Sequence, residues 1–240
     1  MRQERTVGPE VLGWQPPRWP DADVLEGRHV RLERLDADRH AAGLHAANQG
    51  SDWIWDYLGY GPFTTADDYR RWAEQMAKGA DPFFYAIRDR ATGEPGGVAS
   101  FLRITPAQGT IEVGHICLAP VLQGTRAATE AMALMAGWVF GAGYRRYEWK
   151  CDALNRPSRR AAERFGFSYE GTFRQHMIYK GRNRDTAWFA MTDGDWARLK
   201  PCYDRWLSPD NFGADGRQRE SLSGLTLPLL VTRDPGPQTG

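Results

Sequence analysis

The alternation of apolar and polar positions predicts strands and helices in the first part of the chain. Residues 29–35 (HVRLERL) alternate between apolar and charged side chains, which is the pattern of a half-buried strand. A helical period follows over residues 38–48, and a second helix begins after Thr64 or Thr65, where a hydroxyl can cap its first turn. Residues 51–63, between the two helices, are dense in aromatic side chains.

The middle of the chain predicts consecutive antiparallel strands. Three apolar segments at 83–88, 98–104 and 110–118 are separated by short turns that contain glycine and proline. Short turns of this kind join neighbouring antiparallel strands. A long apolar helix follows at 124–140, and a strand with renewed alternation lies at 145–151.

The remaining elements complete a mixed sheet. A helix at 155–165 is ended by Gly166, a residue that favours the left-handed conformation of a helix C-terminus. The later elements are strands at 168–173, 175–180 and 186–191, with the turn GRNRD before the last, and a helix from Asp193 or Asp195 to Leu207. This order indicates an α/β (α+β) protein with a single mixed, mostly antiparallel sheet and helices on both faces.

Two terminal segments fall outside this pattern and divide the chain into three regions. Residues 1–27 carry four prolines and two tryptophans and are expected to form an extended arm that packs its tryptophans. Residues 28–207 form the domain. Residues 208–240 are rich in glycine, proline and polar residues and are expected to form an irregular C-terminal tail.

Composition favours a large core and an uneven distribution of charge. The 240 residues are 41% apolar and 12% aromatic, and the net charge is +1. All but four of the 31 cations are arginine, and residues 145–184 contain more basic than acidic residues. Arginine favours bidentate phosphate contacts, so the basic segment 145–184 could bind the phosphate backbone of a nucleic acid. The alternative is that arginine simply serves wherever a cation is needed.

The cysteines and histidines argue against a metal site or a disulfide framework. The three cysteines are widely spaced, without a CxxC pair, and the five histidines show no metal-ligand spacing. The longest uncharged stretch, 131–144, is shorter than the roughly 20 residues that a membrane span needs. No charged and apolar leader opens the sequence. We therefore expect a cytoplasmic protein with no metal and no membrane partner.

A strand, a loop and a helix follow one another from residue 113 to residue 140. The loop at 123–128 carries little side-chain bulk, so backbone N–H groups and the positive end of the helix dipole meet at one point. That point is suited to phosphate. The sequence therefore predicts a phosphorylated cofactor.

Two motifs in this order resemble those of the GCN5-related N-acetyltransferase (GNAT) superfamily. The phosphate loop of that family has the pattern Q/R-x-x-G-x-G/A, and a later Asn-x-x-Ser leads to a Gly-Phe pair. The loop here reads Gln123-Gly124-Thr125-Arg126-Ala127-Ala128, and the later motif reads Asn155-Arg156-Pro157-Ser158, followed by Gly166-Phe167. The resemblance covers residues 25–207 and is closest to the RimJ/RimL-type ribosomal-protein-alanine acetyltransferases.

The resemblance implies a GNAT fold with splayed central strands and acetyl-CoA as donor. The pantetheine arm would insert between the strands at 111–118 and 146–151. Arg126 stands where the family has a glycine, and its side chain either reaches a donor phosphate or pairs with Glu130. The implied donor-binding residues are Ile116, Leu118, Gln123, Gly124, Thr125, Arg126, Ala127, Ala128, Asn155, Ser158 and Arg159.

Two residues carry the expected chemistry of amine acylation. Glu112 is the only carboxylate in the apolar strand IEVGHICL, and a buried carboxylate without a partner is costly. It is expected to be the general base, or else to pair with an arginine such as Arg103. Ser158 matches the acid of the RimL-type branch, and the alternative is a hydroxyl that caps the helix. Ala162 stands where the superfamily more often has a tyrosine.

The acceptor is expected to be a primary amine, either a protein N-terminus or a small molecule, in a direct ternary complex. Trp53, Trp55 and Tyr57 line its site or belong to the core. One rival function keeps the fold and takes an acyl or aminoacyl group from a charged tRNA, since Arg126 departs from the family. A second rival is a non-catalytic CoA-binding module. Both a monomer and a homodimer fit the sequence.

Overall fold

One sheet of eight strands runs through the centre of the protein. The computed structural model describes residues 7–237. The strands are β1 (Val24–Glu26), β2 (Val30–Arg34), β3 (Phe83–Asp89), β4 (Pro95–Thr105), β5 (Thr110–Leu118), β6 (Arg146–Asp152), β7 (Ser168–Tyr179) and β8 (Arg182–Thr192). The helices are α1 (Ala37–Asn48), α2 (Ala66–Ala77), α3 (Arg126–Gly141), α4 (Arg156–Arg164), α5 (Asp193–Leu207) and α6 (Leu222–Thr226).

The strand order is β1-β2-β3-β4-β5-β6-β8-β7. Every neighbouring pair is antiparallel except β5 and β6, which are parallel. Helix α3 forms the crossover between these two strands, as a parallel pair requires. The expected single mixed, mostly antiparallel sheet with helices on both faces is therefore confirmed.

Side-chain caps fix where the helices begin. Asp36 and Thr65 each accept a hydrogen bond from the backbone N–H three residues further on, at 2.9 and 3.1 Å. Helix α5 is capped by Thr192, whose Oγ1 accepts the Asp195 N–H, and the Asp195 carboxylate in turn accepts the Thr192 N–H. The cap thus lies one residue before the expected Asp193. Between residues 7 and 237, no helix has the length and apolar character that crossing a bilayer requires.

The last two strands form one long hairpin. The strands expected at 168–173 and 175–180 are a single strand, β7, and its ladder with β8 shifts register between the two segments. Such a bulge bends a strand without ending it. Lys180 and Gly181 have φ values of 48° and 71°, as a two-residue hairpin turn needs. Residues 182–185 consequently belong to β8 and not to the turn.

Two hydrophobic cores lie on opposite faces of the sheet. The larger core packs α3 and α5 against one face, and Tyr147 and Trp149 of β6 point into it. The smaller core packs α1 and α2 against β3 and β4, around the buried ring of Trp55. Side chains alternate between faces along a strand. Glu148 and Lys150 of β6 therefore face the side that carries α1 and α2.

The pairing of β5 with β6 ends halfway along both strands. Thr110–Val113 pair with Arg146–Trp149, and within the described chain the ladder goes no further although both strands continue. β5 also bulges against β4, where His115 adopts a φ of 51°. The splayed central strands implied by the resemblance are therefore present. Backbone groups of residues 114–118 that face β6 have no strand partner there.

Both terminal segments pack against the domain. Tyr85 and Tyr144 donate hydrogen bonds to backbone carbonyls of the N-terminal arm, at 2.7 and 3.1 Å. The tail forms α6 and two short 3-10 turns, and Leu222 within it is fully buried. The tail is thus more ordered than its composition indicates. Positions 1–6 of the expected arm and 238–240 of the expected tail lie outside the described residues.

A buried ion pair fastens the end of the tail to α4. Arg159 is 2% exposed, and its Nε donates to Oδ2 of Asp234 at 2.7 Å while a second nitrogen binds the other carboxylate oxygen. A third nitrogen donates to the Ala153 carbonyl at 3.0 Å. Glu163 accepts the backbone N–H of Asp234 at 2.9 Å. These contacts hold the tail over the helix that carries Ser158.

Replacement of Asp234 by asparagine is expected to lower the free energy of unfolding by about 3 kcal/mol, because Arg159 stays buried without its counter-charge. Urea denaturation measures the loss. The double variant Arg159→Leu/Asp234→Leu removes both charges and should recover part of it. A loss below about 0.5 kcal/mol in the single variant would show that the pair contributes no more than an exposed one.

Candidate active site

A loop and the start of α3 together offer free backbone donors. Thr125 Oγ1 accepts the N–H of Ala128 at 3.1 Å, and Gln123 Nε2 donates to the Leu118 carbonyl at 2.8 Å, which ties the loop to the end of β5. Gly124 has a φ of 71° and no heavy atom within 4 Å of the position that a Cβ would take. The first N–H groups of a helix lack an intrahelical acceptor, so this surface suits an anion.

Arg126 stacks on the C-terminal tail. Its guanidinium carbon lies 3.8 Å from the centroid of the Phe212 ring. The alternative pairing with Glu130 does not form. Glu130 is buried and accepts hydrogen bonds from the backbone N–H groups of residues 28–30, at 2.9, 2.5 and 3.0 Å. It anchors the start of β2, and the side chain of Arg126 is free to turn toward the tail.

Glu112 lies beside the point where β5 and β6 part, on the face opposite α3. It is 3% exposed, and Arg103 Nη1 donates to its Oε1 at 2.7 Å. Lys150 Nζ lies 2.8 Å from Oε2, an ion-pair distance with an angle unsuited to a hydrogen bond. Burial raises the pKa of Glu112, and the two cations oppose that rise. The expected Arg103 pair is present, and Lys150 is a second partner that the sequence alone did not indicate.

Ser158 lies in the first turn of α4 without capping it. The cap is Asn155, whose Oδ1 accepts the N–H of Ser158 at 3.1 Å. The hydroxyl oxygen of Ser158 accepts a hydrogen bond from Trp149 Nε1 at 3.0 Å. The same hydroxyl lies within hydrogen-bonding reach of the Cys151 thiol. Ala162, one turn further along α4, is fully buried in the core.

Arg159 was expected among the donor-binding residues, and the structure gives it another partner. Its guanidinium is enclosed by Asp234, which lies 75 positions away in sequence, and by the Ala153 carbonyl. The side chain is therefore not a free cation beside the phosphate loop. Nothing in the local sequence of α4 signals this partner, because the tail comes back over the helix only in the folded chain.

The aromatic segment between α1 and α2 divides into core and surface. Trp55 is 2% exposed and packs against the rings of Phe63 and Tyr69. Trp53 is 57% exposed. Tyr57 donates a hydrogen bond to the Leu154 carbonyl at 3.3 Å, just before α4. The three residues expected at the acceptor site therefore form no single wall, and Tyr57 alone reaches the neighbourhood of Ser158.

His115 joins the smaller core to the splayed strands. Its ring stacks on Tyr60 with centroids 5.6 Å apart, and its Nδ1 lies 3.2 Å from the Tyr60 hydroxyl. Burial lowers the pKa of His115 to about 4, and Arg103 and Arg184 lower it as well. At neutral pH the imidazole is thus uncharged. Nothing in the local sequence indicates its contact with Tyr60, which lies 55 positions away.

The thiols near the site are poor nucleophiles. Burial raises the pKa of Cys117 to about 12 and that of Cys151 to about 11, so both stay protonated at neutral pH. Residues 7–237 contain no group of three or more histidine, cysteine, aspartate or glutamate side chains placed to hold a metal ion.

Comparison with known proteins assigns the family. Residues 29–168 match the family described as Acetyltransferase (GNAT) domain. A solved GCN5-related N-acetyltransferase from Brucella melitensis is 44% identical, over 90% of this chain and 99% of that one, with a TM-score of 0.88. A probable acetyltransferase (GNAT family) from Chromobacterium violaceum ATCC 12472 is 38% identical, over 82% and 100% of the two chains, with a TM-score of 0.76. The chain belongs to the GNAT acetyltransferase family and is a transferase.

A more distant likeness concerns the branch within this family. The acetyl transferase from Salmonella typhimurium that modifies the N-terminal serine of ribosomal protein L7/L12 is 22% identical, over 70% of this chain and 98% of that one, with a TM-score of 0.61. This likeness shows a shared fold. Among curated proteins, none matches the chain significantly.

The depressed pKa of His115 predicts a loss of stability in acid. The folded protein keeps the imidazole neutral down to about pH 4. In the unfolded chain the same histidine has its ordinary pKa of about 6.5 and takes up a proton near that pH. The stabilisation is therefore complete above pH 6.5 and is lost as the pH falls toward 4. Between about pH 7 and 4.5, wild type should lose about 2–3 kcal/mol more of its unfolding free energy than His115→Gln does. Urea denaturation at both pH values checks this, and equal losses would mean that His115 is not held neutral.

Proposed function

We propose that the protein transfers an acetyl group from acetyl-CoA to a primary amine by direct attack of the amine on the thioester. The observation that carries the proposal is the position of the gap between β5 and β6. It lies between the donor loop at the start of α3 and the buried carboxylate of Glu112. The donor phosphates would bind at the α3 end, and the amine would reach the thioester from the Glu112 face.

The donor would lie along the second half of β5. Apart from the Leu118 carbonyl, which accepts from Gln123, the backbone groups of residues 114–118 that face the gap would give the pantetheine arm the hydrogen bonds that β6 supplies to the first half of the strand. The half-buried Ile116 and Leu118 would contact the arm. The first-turn N–H groups of Arg126 and Ala127 would face the pyrophosphate. Family membership supports this assignment.

Glu112 would be the general base. Its raised pKa brings the carboxylate closer to the pKa that proton transfer near neutral pH requires. Arg103 and Lys150 oppose the effect of burial and favour its ionised form, which is the form that would accept a proton from the incoming ammonium, directly or through water. The neutral amine then attacks the thioester carbonyl, the C–N bond forms, and the C–S bond breaks.

Ser158 would supply the proton that the leaving thiolate takes up. The Trp149 N–H donates to its hydroxyl oxygen, and the hydroxyl proton, which can reach the Cys151 thiol in the free protein, would pass to the leaving sulfur. Ser158 would then regain a proton from the attacking nitrogen, which loses its second proton as the amide forms. Asn155 holds the residue at the start of α4 through its backbone N–H. The buried Ala162 offers no donor in place of a tyrosine.

The acceptor is the least defined partner. The Asn-x-x-Ser motif and Ala162 favour the RimJ/RimL-type branch, whose acceptors are protein N-termini, and a small-molecule amine fits the same chemistry. Trp53 and Tyr57 would border the acceptor, one exposed and the other tied to Leu154, while Trp55 supports them from the core.

Two measurements on the wild-type protein test the function. Calorimetric titration with acetyl-CoA should show binding, and a panel of amines, including peptides with free N-termini, should release CoA thiol. Absence of acetyl-CoA binding would overturn the donor assignment and favour the charged-tRNA rival. Binding without thiol release from any amine would favour the non-catalytic rival.

Glu112→Gln should lower turnover by about 10²–10⁴-fold with little change in acetyl-CoA affinity, because it removes basicity at constant shape. Steady-state kinetics per folded molecule and calorimetry measure the two quantities. Glu148→Gln is the matched control, since Glu148 also pairs with Lys150, at 2.7 Å, from the same face of the sheet. If both variants lose turnover equally, Glu112 acts only through the charge network and not as the base.

Ser158→Ala should lower turnover per folded molecule by about 10²-fold or more. It should also cost about 1–3 kcal/mol of stability, because the buried Trp149 N–H loses its acceptor, whereas the helix cap at Asn155 stays intact. The turnover of this variant should depend on the acidity of the leaving thiol. With an acyl donor whose thiol is more acidic, the turnover of the variant should come closer to that of wild type. Asn155→Ala is the comparison for lost capping and should lower stability by about 1 kcal/mol. An active but less stable Ser158→Ala protein would reduce the hydroxyl to a structural role.

A further inference from the structure

One face of the sheet next to the gap is left open by the helices. α1 and α2 pack over β3 and β4 and stop short of β6 and β8. On that face the register places Lys150 of β6 opposite Trp188 of β8, and Asp152 opposite Thr186. Glu112 lies on the same face. These residues form the floor of what we call the acceptor groove.

The acceptor groove has two walls that touch each other at its far end. One wall is the aromatic segment between α1 and α2, and the other is the β7–β8 hairpin. Lys180 at the hairpin turn donates to the Trp55 carbonyl at 2.8 Å. Tyr179 donates to Asp152 Oδ2 at 2.8 Å, which ties the hairpin to the floor. The space between these two walls is therefore one route by which an amine could approach Glu112.

Arg184 extends into the groove from β8. Its Nε donates to Thr186 Oγ1 at 3.1 Å, and the same hydroxyl lies 2.9 Å from His176 Nδ1. Within residues 7–237, no carboxylate oxygen lies within 4.0 Å of the Arg184 guanidinium. The side chain of Arg103 on β4 is 48% exposed, and one of its nitrogens pairs with the Glu112 carboxylate. Among the described residues, Arg184 is therefore a groove guanidinium without a carboxylate partner, whereas Arg103 is paired with Glu112.

The acids of the groove are already bound. The pairs are Glu112 with Arg103 and Lys150, Glu148 with Arg146 and Lys150, and Asp152 with the Tyr179 hydroxyl and the Leu154 N–H. Both histidines near the groove lie within reach of its arginines, and Asp81 opposes the arginines at His115. Burial lowers the pKa of both His115 and His176, and among charged neighbours Arg103 and Arg184 lower both further.

We propose that the acceptor of this enzyme carries an anionic group, a carboxylate or a phosphate, close to its amine, and that Arg184 binds that group. A guanidinium presents a planar fork of donors that matches either oxyanion. The Thr186 hydroxyl accepts from Arg184 Nε and holds the fork in place. With the anion on Arg184, the amine is directed toward Glu112. This inference rests on the proposed acetyl transfer and names its substrate class.

Matched acceptor pairs test the proposal. Free α-amino acids are compared with their carboxamides, and phosphoethanolamine with ethanolamine, by thiol release from acetyl-CoA. The kcat/KM of wild type should be about tenfold or more higher for the anionic member of at least one pair. A lower KM for that member should account for the difference. The pair that shows the preference identifies carboxylate or phosphate as the anion. Arg184→Gln should bring the ratio of the two members toward one, and Arg184→Lys should restore part of it.

Arg182→Gln is the control, since Arg182 is exposed beside the hairpin turn and should leave the wild-type ratio intact. No preference for the anion in any pair, or a ratio that survives in Arg184→Gln, would overturn the proposal. Bound acetyl-CoA with transfer only to uncharged or cationic amines would overturn this inference and leave the acetyltransferase function standing. Absence of acetyl-CoA binding would instead overturn the proposed function itself.

Discussion

The candidate active site depends on the point where the hydrogen bonding between β5 and β6 ends. β5 and β6 pair over four residues and then part, so that strong backbone donors and acceptors face a gap inside the sheet. Such groups are costly to leave unpaired, and the fold needs an occupant there or water. The gap persists because each strand is held on its other side, β5 by β4 and β6 by β8. The bulge at His115 bends β5 away at the same point.

Segments beyond the family match complete the surroundings of this gap. The match ends at residue 168, and the hairpin that follows supplies Arg184, while the tail supplies Phe212 and Asp234. Phe212 holds the side chain of Arg126 beside the donor loop, and Asp234 fixes the helix of Ser158 through Arg159. The family core thus sets the reaction geometry, and the chain's own C-terminal part constrains two of the elements that border it.

The sequence predicted the features that depend on local pattern. Strand alternation and cap residues such as Asp36 and Thr65 act within a few positions, and the loop at 123–128 follows directly from a strand and a helix start. Its role in binding the donor stays a prediction. The Arg103 partner of Glu112 also lies close in sequence. Lys150 was missed because its contact with Glu112 depends on a parallel register across α3. Asp234 was missed because a 75-residue separation leaves no local signal.

Amide hydrogen exchange in residues 114–118 tests the central claim, that the gap holds the pantetheine arm of the donor. The account predicts that acetyl-CoA slows exchange both in this half of β5 and in the loop at 123–128. ADP, which carries a pyrophosphate without the arm, should slow exchange in the loop alone. Unchanged exchange in residues 114–118 at saturating acetyl-CoA would contradict the account, whatever the loop shows.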